Sequence, residues 1–541
     1  MKRDESTDME RQGAVDDPSS SLPLSYRIAR RFYRFLTNIW FREINIVDDE
    51  NLPPEGGRLY ITWHPSGLID PMLMTTVLPG RLTTVAKHTL FRVPFLGRLL
   101  KASGVVPIER PQDAKDAEAA RQRNADRISS LSSTLAQGGS VLIFPEGVTH
   151  ADAGVRRVRS GAARILLAAL REAEAAGLPK PNVVPVGLHY SESQRFRERA
   201  AVVVERSMDL PETPQLEGDL EQQDAADRAW VDEVTEVFST ELQRVNLSKT
   251  SWAERTMIWR GRSLVYAEKQ RQVGEELRKP TFAESVLAAR RLRAGWEFMA
   301  ASNPEETEAL AKRCQDHFDV LEHRGITPYD VDARPEQLSL AGYAKYFFQW
   351  LWALVWMFGL ITWSAIAGNY VPYKANGFFS LGMKRMKVDT SVVGTMKVLS
   401  AMVVFPIWWM VASAFITWSL LSASSPLNEL LLSHWLLLGI TKLPAIGVFV
   451  VFLFWWPVSA KLHLKLYARL LRGSHNLQRW KIWKDDTKDW DLLVEEQRLL
   501  SAELVNLGSG LVLPGDPDWE DPAPGQDDVA SVRFRQPGST V

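Results

Sequence analysis

The chain has 541 residues, enough for two or three domains. Its 64 Lys and Arg balance 65 Asp and Glu to a net charge of −1, so it lacks the basic surplus expected of a nucleic-acid binder. The single cysteine, Cys314, excludes an internal disulfide framework and a cysteine-based metal cluster.

Residues 1–22 are expected to be disordered: Met1 to Ser21 is polar and acidic, with no apolar core of the kind a secretory signal carries. Residues 23–45 hold a basic amphipathic helix. Within Tyr26–Trp40, Ile28, Phe32, Phe35, Leu36 and Ile39 recur at helical spacing, and Arg27, Arg30, Arg31 and Arg34 take the other positions. Such a helix reads either as a membrane-surface element or as a helix packed on the next domain. From Arg58 to about Glu205 short apolar runs alternate with helical patterns. The predicted strands are Leu59–Trp63, Thr83–Ala86, Val105–Ile108, Val141–Phe144, Val183–Leu188 and Ala201–Val204. The predicted helices are Pro71–Leu78, Pro94–Ala102, Ala114–Leu135 and Gly161–Ala176. This alternation implies an α/β fold with a mostly parallel central sheet flanked by helices. Ligands of such sheets sit beyond the carboxyl ends of strands, and His64, Glu109 and Glu146 all follow strands, so one crevice is expected to gather them.

Residues 251–340 are charged and helical and show no chemistry; Cys314, among Lys312, Arg313 and Asp316, reads as part of a solvated helix face rather than a nucleophile. Composition then shifts. In a membrane region over residues 341–460, the apolar segments Tyr346–Ala367, Met402–Leu421 and Leu443–Ser459 each approach bilayer-spanning length, with Trp and Tyr near their ends. Lys374, Lys384, Arg385, Lys387 and Lys397 crowd the first link, Lys461, Lys465, Arg469 and Arg472 follow the third segment, and only Lys442 lies between the second and third. The last two segments therefore read as a hairpin with both ends cytoplasmic. An integral membrane protein with its α/β domain on the cytoplasmic side then requires the first segment to be re-entrant or interfacial, turning back at Asn369–Tyr373. Residues 461–510 are expected to be helical and 511–541, rich in Pro, Gly and Asp, a flexible tail.

The chemistry centres on His64-Pro65-Ser66-Gly67-Leu68-Ile69-Asp70, after the strand that ends near Trp63. Pro71 disfavours α geometry at Asp70, so Asp70 is expected to be extended or capping, with Pro71 opening a helix. On one helix the two side chains would point about 120° apart; a loop can fold the aspartate back onto the imidazole. A carboxylate that holds an imidazole makes it a base for a hydroxyl. Equally, Asp70 can be a helix cap and His64 an ordinary loop residue. Three further features stand in the same domain. Gly104-Val-Val-Pro-Ile-Glu-Arg110 ends a strand with an arginine suited to phosphate, or to pairing with Glu109 or Asp113. Phe144-Pro-Glu-Gly147 ends another, with Glu146 an acceptor for substrate hydroxyls or the whole stretch a plain turn. Arg156, Arg157 and Arg159 precede the helix that starts at Gly161, a place for an anion.

In this order the motifs resemble the glycerol-phosphate and lysophosphatidate acyltransferase superfamily of membrane enzymes, over roughly residues 30 to 250. The resemblance rests on HPSGLID, Lys87-His88-Thr89-Leu90-Phe91, Gly104–Arg110, Phe144–Gly147 and Val184-Pro185-Val186-Gly187. It makes residues 46–250 the acyltransferase domain. Five residues between His64 and Asp70, where four is commonest, resemble the fungal-type glycerol-3-phosphate/dihydroxyacetone-phosphate branch. So do Phe144–His150, Arg159–Ile165 and the Asn-x-x-Pro-Tyr and Gly394-Thr395-x-Lys397 stretches. Thr89, where many relatives carry Glu, departs from the pattern and leaves the role of that strand end in doubt.

The resemblance implies that His64 takes a proton from a glycerol hydroxyl while Asp70 orients it, with Ser66 as nucleophile the minor alternative. It places Arg110, Arg159 and Lys87 at the phosphate, Glu146 and Gly147 at the glycerol, and backbone N–H groups near Gly67 at the oxyanion. No cofactor or metal is expected beyond an acyl-CoA or acyl-ACP co-substrate; glycerol-3-phosphate or lysophosphatidate and membrane lipid are the expected partners. Three rivals stand beside this reading: a lysolipid acceptor, a non-catalytic membrane tether of the same fold, and a metal hydrolase built on His64, Asp70, Glu146 and His150.

Overall fold

Runs of β-branched and aromatic residues pair into a seven-stranded sheet in the computed structural model. It describes residues 22–93, 96–109, 117–191, 197–215, 218–249, 251–274, 278–332, 339–385, 390–485 and 487–535. Two compact units divide the chain: Met1–Arg262 with Arg278–Ala309 and Val505–Val541, and Ser263–Leu277 with Leu310–Leu504.

The first unit contains the sheet. Its strands are β1 (Phe41–Val47), β2 (Arg58–Ile61), β3 (Leu82–Lys87), β4 (Val106–Ile108), β5 (Ser140–Ile143), β6 (Asn182–Tyr190) and β7 (Glu198–Val204). They lie in the order β1-β7-β6-β2-β5-β3-β4. Every neighbouring pair is parallel except β6 and β7. The helices are α1 (Leu24–Trp40), α2 (Ile69–Val77), α3 (Leu96–Ala102), α4 (Ala117–Ala136), α5 (Gly161–Ala175), α6 (Leu220–Val245), α7 (Trp252–Val273, of which this unit takes the part up to Arg262) and α8 (Phe282–Ser302). The mostly parallel sheet with flanking helices is the expected architecture. Leu59, Tyr60 and Ile61 are all fully buried although they alternate sides, as in a sheet covered on both faces. Leu59, Ile61, Val141, Ile143 and Val183 form one core with Leu135 of α4, Leu166 and Leu170 of α5, and Val234 and Phe238 of α6. Phe282 and Val286 of α8 pack on Ala201 and Val203.

Register positions the site. Ile61 stands opposite Ile143 of β5 and Pro185 of β6. The chain therefore leaves β2 and β5 side by side, and His64 and Glu146 each follow three residues later.

Three parts of this unit differ from expectation. Phe41–Val47 is a strand parallel to β7, not a continuation of the amphipathic segment; its seven residues, FREINIV, lack a regular alternation and follow a strong helical pattern. α1 packs with a face other than its most apolar one. Tyr26, Ala29, Tyr33 and Thr37 are buried, whereas Leu24, Ile28, Phe35 and Ile39 are exposed. Hydrogen bonds explain the choice: Tyr33 Oη meets Ser103 Oγ at 2.8 Å, Tyr26 Oη accepts from the Leu82 N–H, and Arg30 donates to the Leu78 carbonyl. The C-terminal stretch, expected to be flexible, is packed. Leu511–Val512 pairs antiparallel with Arg533–Phe534, and Leu511, Leu513 and Val532 bury with Ala294. Asp528, 1% exposed, receives two bonds from Arg290, each 2.8 Å. The few apolar residues that anchor this segment are diluted by Pro, Gly and Asp, so composition alone misses them.

The second unit is helical. Val393–Leu421 and Ala445–Asp485 are each long and apolar enough to cross a membrane. The first expected segment divides at Phe358 and Gly359 into Leu340–Met357 and Leu360–Arg385. The axes of Leu340–Trp356 and Ile361–Met383 differ by 68°, so a turn exists but lies before the expected Asn369–Tyr373. Asn369 is instead a helical tie: its amide donates to the Trp456 carbonyl and accepts from Trp409 Nε1, each at 3.1 Å. Such links hold apolar helices that have no hydrophobic drive to associate in lipid. Cys314 is not on a solvated face; it is buried, and burial pushes its thiol up to about 12, which keeps it protonated.

Candidate active site

Leaving β2, the chain turns through Gly67 at φ 58°, and the N–H groups of Ile69 and Asp70 reach the carbonyls of Ser66 and Gly67. This tight turn carries the chain directly into α2. Asp70 is the second residue of the helix rather than its cap, and Pro71 falls in the first turn, where its missing N–H costs nothing. The turn folds the carboxylate back: Asp70 Oδ2 lies 2.9 Å from His64 Nδ1 and accepts the Ser66 N–H at 2.8 Å. The phenol of Tyr190, which ends β6, donates to Oδ1 at 2.7 Å. Asp70 is fully buried, so these donors replace the water it has lost. With Nδ1 as the donor to Asp70, Nε2 is left as the basic nitrogen. The imidazole side chain keeps 18% of its surface exposed and stacks on Phe144 with ring centroids 4.1 Å apart.

The loop after β5 clamps the backbone of His64. Glu146 Oε1 accepts the His64 N–H at 3.0 Å, and the His64 carbonyl accepts the His150 N–H at 3.3 Å. The other oxygen of Glu146 accepts the Arg156 N–H at 2.7 Å and meets His150 Nε2. His150 Nδ1 accepts the Asp152 N–H at 3.2 Å, which places its proton on Nε2. Glu146 and His150 are at most 1% exposed. Glu146 is expected to accept a substrate hydroxyl; both of its oxygens are engaged by the protein, and the residue braces His64. The metal-hydrolase set meets the same difficulty, because both ring nitrogens of His150 are occupied. Among the described residues no group of three His, Cys, Asp or Glu side chains is placed to hold a metal ion.

Gly147, at φ 67°, turns the chain beside Arg159. A Cβ there would lie 3.3 Å from the Arg159 side chain, whose backbone N–H binds the Pro145 carbonyl at 2.9 Å. Arg159 is exposed, next to the loop that holds His64. Lys87 closes β3 and Glu109 follows β4, two and three places from β2 in the sheet. Glu109 does not join the crevice with His64 and Glu146. Its carboxylate receives Arg123 at 2.8 and 3.0 Å, and the Asn124 side chain binds its backbone. Arg123 accordingly holds its carboxyl below the usual range. Arg110 lies outside the described residues.

Tyr190 and His150 are the site residues that sequence reasoning missed as partners of the pair. A signal existed for Tyr190: β6 runs parallel to β2, so its far end must lie near the residues that follow β2.

The family model described as Acyltransferase matches residues 43–189, which contain His64, Asp70, Glu146, His150 and Arg159; Tyr190 lies one residue beyond. A chloroplastic 1-acyl-sn-glycerol-3-phosphate acyltransferase of Arabidopsis thaliana is 28% identical over 141 residues, covering 25% of this chain and 37% of the relative. A 1-acyl-sn-glycerol-3-phosphate acyltransferase of Borreliella burgdorferi is 24% identical over 132 residues, 24% of this chain and 49% of the relative. The chain thus spans less than half the length of these relatives. The crystal structure of a 1-acyl-sn-glycerophosphate acyltransferase from Thermotoga maritima aligns at 17% identity with a TM-score of 0.27, over 40% of this chain and 80% of that one.

Proposed function

We propose that this chain, which carries an acyltransferase-family domain over residues 43–189, moves a fatty acyl group from an acyl thioester to a hydroxyl of glycerol-3-phosphate. The observation that carries the reading is the 2.9 Å bond between His64 Nδ1 and Asp70 Oδ2, because it fixes the tautomer that makes Nε2 a base. In the proposed step Nε2 removes the hydroxyl proton as the oxygen attacks the thioester carbonyl. The tetrahedral intermediate then expels the thiolate, which takes the proton back from the imidazolium. Asp70 orients and stabilises that imidazolium. The acceptor hydroxyl occupies the place a serine holds in a hydrolase triad, so no acyl-enzyme is required.

Arg159 supports the phosphate end of the reading: it is an exposed guanidinium beside the turn at Gly147, and its planar fork suits phosphate oxygens. Arg110 and Lys87 are proposed for the same phosphate, and backbone N–H groups near Gly67 for the oxyanion. The donor is acyl-CoA or acyl-ACP. Two helices of spanning length support an integral membrane protein, and the basic loops of the hairpin support a cytoplasmic catalytic domain. The exposed Leu24, Ile28, Phe35 and Ile39 of α1, beside exposed Arg27, Arg31 and Arg34, suit contact with an anionic lipid surface.

A second acceptor, 1-acyl-glycerol-3-phosphate, is favoured by the names of the matched relatives; the five-residue spacing between His64 and Asp70 favours glycerol-3-phosphate. Purified full-length protein with labelled acyl-CoA and each acceptor separates the two by product. A product with neither acceptor, under conditions where the protein is folded and in lipid, would remove the assignment.

A further inference from the structure

We propose that Tyr190 is a positioning residue for the His64–Asp70 pair, acting through the carboxylate oxygen that the imidazole does not touch. The inference rests on the proposed general-base role of His64. Asp70 Oδ2 is shared by His64 Nδ1 and the Ser66 N–H, and Oδ1 takes the Tyr190 hydroxyl at 2.7 Å. With donors on both oxygens the carboxylate plane has one orientation, the one that presents Oδ2 to the imidazole. The phenol is itself held. Its ring stacks on Phe41, the first residue of β1, with centroids 5.6 Å apart and planes 9° from parallel. Tyr190 also sits in the antiparallel β6–β7 ladder, opposite Ala200. Burial and the neighbouring Asp70 raise the phenol well above its ordinary value, so it remains a donor throughout the working range.

The hydroxyl has a second effect. A hydrogen bond to Oδ1 draws charge from the carboxylate and so weakens its hold on an imidazolium. Its removal strengthens that hold, makes His64 harder to deprotonate, and moves the acid limb of the rate profile to higher pH. Among the described residues, the ionisable groups bonded to the pair or to the loop that clamps it are Tyr190 from β6 and Glu146 and His150, bonded to one another, from the loop after β5. Neither Glu146 nor His150 is altered by replacing the phenol with phenylalanine.

The test is Tyr190→Phe in the full-length protein, which keeps the ring and its stack on Phe41. It is measured for kcat, for KM toward acceptor and acyl-CoA, and for the pH dependence of kcat, beside His64→Ala. The expected result is a kcat lower by about tenfold, as for loss of one hydrogen bond to a charged group, with both KM values retained and the acid limb shifted upward. A parental kcat and profile overturns the inference, and so does a lower kcat with an unmoved limb, which marks a merely structural loss. Phe41→Leu removes the stacked ring and leaves the hydroxyl; it reads the same limb should the phenylalanine variant not be recovered folded. There the hydroxyl still reaches Oδ1, so an unmoved limb supports the inference, and an upward shift, arising without loss of that bond, overturns it. Activity retained in His64→Ala overturns the base assignment, and the inference with it. An inactive His64→Ala beside a parental Tyr190→Phe overturns the inference alone.

Discussion

His64 Nδ1 and Asp70 Oδ2 meet at 2.9 Å although a turn separates them, and the carboxylate that closes the contact has no exposed surface. A buried carboxylate aligned on an imidazole is worth most when the imidazole becomes charged, as it does on taking the acceptor's proton. His64→Ala should therefore abolish acyl transfer. Asp70→Asn keeps the shape but turns the amide toward Nδ1 or forces the other tautomer; kcat should fall by about 10³–10⁴, with expression and membrane extraction unchanged. Rates of labelled acyl transfer by purified protein check both.

Gly67 makes the turn at φ 58°, a conformation that costs a side chain about 1 kcal/mol or more. Gly67→Ala should leave the sheet and its core in place, because the turn lies outside them. The strain should instead be relieved by opening the turn, which withdraws Asp70 from His64. The expected outcome is a change of a few degrees in thermal midpoint and more than a tenfold loss of kcat. A variant with parental activity would show that the turn tolerates a Cβ and does not set the spacing.

Glu146 braces the backbone of His64 from inside the protein, so its replacement should act on turnover rather than on acceptor binding. Glu146→Gln puts an amide NH₂ where donors from His64, Arg156 and His150 converge. The mismatch costs about 1–3 kcal/mol in a buried site. Measured kcat should fall while KM for the acceptor stays within about twofold. A substrate ligand would show the reverse, a raised KM with kcat largely kept, and Arg159→Ala is expected to behave in that way.

Much of this architecture is legible before any coordinates. The strand–helix alternation over residues 58–205 identifies the sheet because buried parallel strands read as unbroken apolar runs, and the residues after strands 2 and 5 are brought together as the topology requires. What stays hidden is set by contacts distant in sequence. The burial of Glu146 depends on His150 and on the N–H of Arg156, and FPEG alone reads as well as an exposed turn. Tyr190 reaches Asp70 across 120 positions. α1 displays its apolar stripe outward because two tyrosines and Arg30 find hydrogen bonds on the other side, a preference that helical periodicity does not register. The C-terminal segment is anchored by ion pairs of Asp527 and Asp528 as well as by its few apolar residues.

That anchoring gives a pH-dependent prediction. Buried Arg244 pairs with Glu205, Glu241 and Asp528, partly buried Arg290 with Glu205 and Asp528, and Arg293 with Asp527. Despite burial, which acts the other way, Arg290 and its neighbours hold the Asp528 carboxyl at about 2, below its ordinary 3.8. A group depressed on folding stabilises the fold above its unfolded value and loses that contribution as pH falls through its folded value. Asp528 therefore supplies about 2 kcal/mol at neutral pH that disappears between roughly pH 4 and pH 2. Glu241 opposes it in part, because burial raises its carboxyl and makes its ionisation costly in the folded state. Asp528→Ala should destabilise the first unit by about 3 kcal/mol at pH 7, the low end for breaking a buried pair because Glu205 still faces both arginines. The loss should shrink on acidification, as the parent surrenders the same interaction. Thermal midpoints of the full-length protein in detergent, taken from pH 7 to pH 3 for parent and variant, should draw closer together, pH 3 lying about midway through that loss; curves that stay parallel would show that the C-terminal segment is held by its apolar contacts instead.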